Sequence, residues 1–157
     1  MGTTPLAAVA ATKTLAETLL KAPELAAETV GLLKKLPGIR PSESAQNFLE
    51  ATAYLAAVFK EVPGATVTGV PEHVVYAAKT LVRRETLSLH SYYRALDSGD
   101  ELVQIVKVCE HIVKLRHAPK GHFRSETAGF VKALTLDMGE PWKTYLEGLL
   151  DEATAKQ

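Results

Sequence analysis

Asp100-Glu101-Leu102-Val103-Gln104-Ile105-Val106-Lys107-Val108-Cys109-Glu110-His111-Ile112-Val113-Lys114-Leu115-Arg116 is the stretch whose reading decides the fold. Apolar residues fall on almost every side of a helix drawn through it. Gln104, Lys107, His111 and Lys114 form one narrow polar stripe. A helix this apolar must be nearly surrounded by other helices. The reading therefore predicts an all-α bundle built around a central helix at about 100–116. His111 is expected on the wet stripe between two lysines, Glu110 beside a neighbouring cation, and Cys109 as a small core hydrophobe. Ser98-Gly99-Asp100-Glu101 has the form of a capping box at the helix start.

Working outward, proline and glycine punctuate further helical stretches. Thr4-Pro5 reads as an N-cap followed by proline at the first helical position. Leu6, Ala10, Leu15, Leu19 and Leu20 recur after it at helical spacing. Pro23 either kinks this helix or starts another, which Leu36-Pro37-Gly38 stops. Pro41-Ser42-Glu43-Ser44 opens a segment with an apolar stripe of Phe48, Leu49, Leu55, Val58 and Phe59. Val62 to Val70 contains glycine and β-branched residues and is expected to be a loop. Pro71 is expected to begin one long helix reaching about Leu96. After Asp97-Ser98-Gly99 and the central helix, Ala118-Pro119-Lys120-Gly121 makes a break. A helix from about Phe123 to Met138 and a last one after Pro141 complete the chain. The expectation is a single all-α domain over 1–157, an orthogonal bundle of six or seven helices. The segment 1–21, rich in alanine and nearly uncharged, is expected to be a docking helix.

Composition limits the function classes. In 157 residues, eighteen basic side chains balance eighteen acidic ones, and no block of like charge suits a nucleic-acid arm or a polybasic membrane patch. No run approaches the roughly eighteen apolar residues of a membrane span. One cysteine leaves no internal disulfide and no multi-thiolate zinc site. With no basic, apolar secretory leader at the start, a cytoplasmic or other reducing compartment is expected.

Phosphate-binding glycine loops, nucleophile elbows and HExxH-type metal helices are missing from the sequence. The histidines are where chemistry would have to sit. His111 and His117 are six apart, poor spacing for two metal ligands on one helix face.

Two family resemblances bear on them. Arg116-His117-Ala118-Pro119-Lys120-Gly121-His122 resembles the arginine–polar-spacer–histidine motif of HEPN domains. That likeness implies a ribonuclease in which Arg116 binds a phosphate and His122 is the acid or base on a ribose hydroxyl. Pro119 and Gly121 depart from that family's helical motif. Second, the order of features from Leu96-Asp97 to Trp142 resembles the C-terminal half of a globin: a turn, an apolar helix, a proline corner, His122-Phe123, and Met138-Gly139-Glu140-Pro141-Trp142. That likeness implies heme as cofactor, Phe59 against it, and a proximal iron ligand on the central helix. Aligned without gaps, the ligand position falls on Val113, and only a shift offers His111 or His117. Arg84 and Glu85 fall where the distal wall should be apolar.

The leading expectation is a non-enzymatic binding or assembly module that acts through protein–protein contacts, with a protein partner or another copy of itself, no nucleic acid and no cofactor. A heme-binding or sensor globin and a HEPN-type ribonuclease are the alternatives.

Overall fold

Proline and small-residue breaks divide the chain largely as the sequence implies. The computed structural model describes residues 5–37, 43–82, 87–118 and 125–155. They form eight helices and no strand: α1 (Pro5–Leu19), α2 (Pro23–Lys34), α3 (Glu43–Glu61), α4 (Glu72–Thr80), α5 (Leu89–Asp97), α6 (Glu101–His117), α7 (Ser125–Leu136) and α8 (Trp142–Ala155). None of these helices is long and apolar enough to cross a membrane. Pro5 and Pro23 each occupy the first position of a helix, and Pro23 starts a new one rather than kinking α1. Residues 62–71 lie outside any helix, as the run from Val62 to Val70 implies. The proposed cap Thr4, the segment opening at Pro41 and Ser42, and Arg84, Glu85, His122 and Phe123 lie outside the described residues.

The core has two central helices rather than one. α6 is buried without interruption from Val103 to Val113 and meets α2, α3, α5, α7 and α8. α3 is as deeply enclosed, with every residue from Leu49 to Ala56 buried, and it meets α1, α2, α4 and α6. Alanines at 51, 53 and 56 let neighbouring backbones approach α3 closely. Ala8, Thr12 and Ala16 are the buried row of α1, packed toward α3. Only the opposite row, with Ala10, Lys13, Thr14 and Glu17, is left for a partner.

The predicted 71–96 helix is two helices. α4 ends at Thr80, and α5 begins at Leu89 behind an N-cap in which Ser88 Oγ accepts a hydrogen bond from Ser91 N. The Tyr92 hydroxyl donates to the Leu81 carbonyl and so ties the two pieces together. Tyr93 stacks on Phe130 with centroids 5.0 Å apart, fixing α5 to α7. At the start of α6 the cap is Asp100, whose carboxylate accepts from Leu102 N at 2.8 Å. The expected cap Ser98 instead donates to the Ala95 carbonyl, and Glu101 accepts from Gly139 N.

Candidate functional site

Of the polar stripe of α6, only Lys114 is at the surface. Gln104, Lys107 and His111 are all buried, contrary to the expectation of a wet face, and α5 crosses over the first two. Each residue is used there. Gln104 Nε2 donates to the carbonyls of Leu96 at 2.7 Å and Asp97 at 3.0 Å, closing the end of α5. Lys107 Nζ lies 5.2 Å from the centroid of the Tyr92 ring and 5.9 Å from that of Tyr93, where the ring faces receive the cation. Burial holds the Lys107 amine well below the usual lysine range, with the Lys60 charge adding to the effect. Burial, then the charges of Lys107 and Lys114, push the His111 imidazole down to about 4.

Glu110 finds the cation the sequence called for. Its Oε1 is 2.7 Å from Lys60 Nζ, which α3 delivers from its last turn. Burial pushes this carboxyl up, but Lys60, Lys107 and Lys114 outweigh it and hold the acid below its ordinary range. Lys114 is displaced to about 8, first by the Lys60 charge and then by burial. Burial drives the Cys109 thiol far upward, so it stays a protonated core group.

The remaining predicted residues go elsewhere. His117 Nε2 and Arg116 Nη1 converge on Glu28 of α2, at 2.8 and 3.2 Å. Burial pushes Glu28 up, yet the hydrogen bonds of His117 and Arg116 bring it below its ordinary value. Arg116, the phosphate binder of the ribonuclease reading, is thus tied to a carboxylate. Phe59 is buried beneath Lys79 of α4, whose Nζ is 5.8 Å from the ring centroid. The structure therefore gives Phe59, His111 and His117 three separate environments. Among the described residues, no three histidine, cysteine, aspartate or glutamate side chains group as metal ligands.

Several cavities open between the helices; two of them combine an apolar wall with charged groups, and none of Phe59, His111 and His117 lines either one. The larger, about 720 Å³, is a groove across α4, α5 and α6. Its walls are Phe48, Tyr76, Ala77, Leu96 and Val103; among the described residues its rim carries Glu72, His73 and Asp100 and no lysine or arginine, and Lys79 lines an adjoining cavity that shares Tyr76. Phe48 and His73 stack with centroids 5.5 Å apart. Tyr76 is 76% exposed, the most exposed large side chain among the described hydrophobic residues. Outside the groove, at the end of α5, a hydrogen bond to Asp137 raises the Asp97 carboxyl above its usual value. The smaller cavity, about 380 Å³, lies between the α1–α2 turn, α3 and α6, and Lys60, Glu110 and Lys114 line it.

These features define an all-α domain with an acid-rimmed apolar groove on one side and a lysine-bearing cleft elsewhere. No protein-family model, curated protein or solved structure is found to match the chain.

Proposed function

We propose that this domain is a non-enzymatic binding module that receives a protein segment in the α4–α5–α6 groove, and that the segment is helical, apolar on one side and basic at its edges. The observation that carries this reading is Tyr76, a large ring left in water within a groove whose described rim residues include Glu72 and Asp100 but no lysine or arginine. Exposed aromatic residues over apolar floors are typical anchors of protein interfaces. The side chains that catalysis would recruit are engaged elsewhere: Arg116 and His117 with Glu28, and Cys109 and His111 in the core.

The test uses two fluorescent fourteen-residue amphipathic peptides, one of leucine and lysine and one of leucine and glutamate. The leucine–lysine peptide is expected to bind at least tenfold more tightly. Tyr76→Ala and Glu72→Lys should each weaken it by about tenfold, the 1–2 kcal/mol of one interface anchor. Equal binding of both peptides, or no effect of either substitution, refutes the groove as the docking site.

A further inference from the structure

The smaller cleft has a different chemistry. Leu20, Leu25, Ala26, Ala53, Ala57 and Val113 make its walls apolar, and its polar end holds Lys60 and Lys114 against a single buried carboxylate, Glu110. Lys21 and Glu61 also line it, and the Glu61 carboxylate is occupied in accepting from the Lys21 backbone N–H at 3.2 Å. Lys107 is directed onto the tyrosine rings of α5 and does not line the cleft. Two ammonium groups beside one carboxylate leave one positive charge uncompensated. Lys60 Nζ is sealed from solvent and, although 2.7 Å from Glu110 Oε1, makes no hydrogen bond of normal geometry there. An ammonium carries three donors, so Lys60 retains unused capacity inside the protein. Lys114, in contrast, keeps part of its side chain in solvent while its amine feels both burial and the Lys60 charge.

We infer that this cleft is a binding site for a small amphiphilic monocarboxylate, its alkyl chain between α2 and α3 and its head on Lys114 with the Lys60 charge behind it. One excess positive charge matches a monoanion. Alanines at 26, 53 and 57 leave the room that larger side chains would fill, and the volume falls in the range of about 300–1,000 Å³ that small molecules occupy. Head and tail both contribute, because the charged end alone is open to competing water and salt. A bound carboxylate also favours the ammonium form of Lys114, which now stands at about 8.

Octanoate, below its micellar concentration, is the probe, with acetate, octanol and octyl phosphate as the other arms. The readout is the lysine side-chain NMR spectrum of the intact chain, which reports site occupancy and the Lys114 titration together. Octanoate is expected to saturate the site, to perturb Lys114 and to raise its titration midpoint. Acetate and octanol should each bind at least tenfold more weakly, showing that head and tail are both needed. Octyl phosphate binding more tightly than octanoate would overturn the monocarboxylate assignment. Ala57→Phe, at a partly exposed wall position, should block octanoate with the charges left in place. Lys114→Gln should weaken binding about tenfold, and Lys114→Arg should retain it. Octanoate binding that ignores Ala57→Phe and Lys114→Gln, or no perturbation of Lys114 at saturation, overturns the inference. Tyr76 lies outside this cleft, so Tyr76→Ala should leave octanoate binding unchanged, which keeps this result separate from that for the groove.

Discussion

Replacing His111 with leucine should change how the protein responds to acid more than how it stands at neutral pH. His111 is 3% exposed, and burial together with Lys107 and Lys114 holds its imidazole at about 4 against an ordinary 6.5. Above pH 6.5 the ring is neutral both folded and unfolded, so it adds no pH dependence there. Below 6.5 the unfolded chain takes up the proton and the folded one refuses it, so stability falls with falling pH. The loss is complete near pH 4, where the folded protein is protonated too. At about 1.4 kcal/mol for each tenfold difference in proton affinity, this amounts to about 3 kcal/mol, a large part of a small domain's stability. Glu110 and Glu28, both held low in the folded state, add losses of the same sign at more acidic pH. Comparing two proteins cancels those contributions. Urea unfolding of the native chain and His111→Leu at pH 7, 6, 5 and 4 gives the difference directly. The native chain should lose about 3 kcal/mol more than the variant between pH 7 and 4. Parallel pH profiles would refute the reasoning, since His111 would then titrate alike in the folded and unfolded chain.

Other substitutions probe the two central helices. Gln104→Leu should cost about 0.5–1.5 kcal/mol in urea unfolding, because the Leu96 carbonyl loses its side-chain donor and keeps only Gly99 N. Glu110→Ala should cost about 3–5 kcal/mol near neutral pH and recover part of it as pH rises and the stranded lysines lose their protons. Val106→Asp should abolish cooperative thermal unfolding, since Val106 is fully buried and an unpaired carboxylate there costs several kcal/mol. Removing residues 1–21 takes away the Ala8–Thr12–Ala16 row that covers α3, so circular dichroism should report a clearly lower melting temperature. An unchanged melting temperature would mean that α1 is a detachable docking helix.

Much of this architecture is legible in the sequence, and the failures share a cause. The 102–115 pattern announces a surrounded helix because branched aliphatic residues fall on all its sides. α3 is equally central, but it gets there with alanines, which fit buried and exposed positions alike and carry little periodic signal. The break between α4 and α5 involves neither proline nor glycine. Its local mark is Ser88, a good N-cap residue, and its fixing contact is the Tyr92 hydroxyl on the Leu81 carbonyl, which no local pattern reveals. Gln104 and Lys107 read as part of a wet stripe because their compensating groups, carbonyl ends and tyrosine rings, belong to α5. Glu110 reads as the partner of a cation, yet that cation, Lys60, comes from fifty residues earlier, so the cleft they share has no sequence motif. The groove likewise combines α4 residues with Val103 of α6, and an exposed tyrosine at position 76 looks ordinary until its surroundings are known.

Backbone amide chemical-shift mapping of the leucine–lysine peptide on the isotopically labelled chain tests the central claim most directly. The account predicts that perturbations concentrate on residues 72–80, 95–103 and Phe48, and that they weaken steeply as salt rises, because acidic rim charges draw the peptide in. Perturbations centred instead on the outer row of α1, or scattered evenly over the surface, would contradict it.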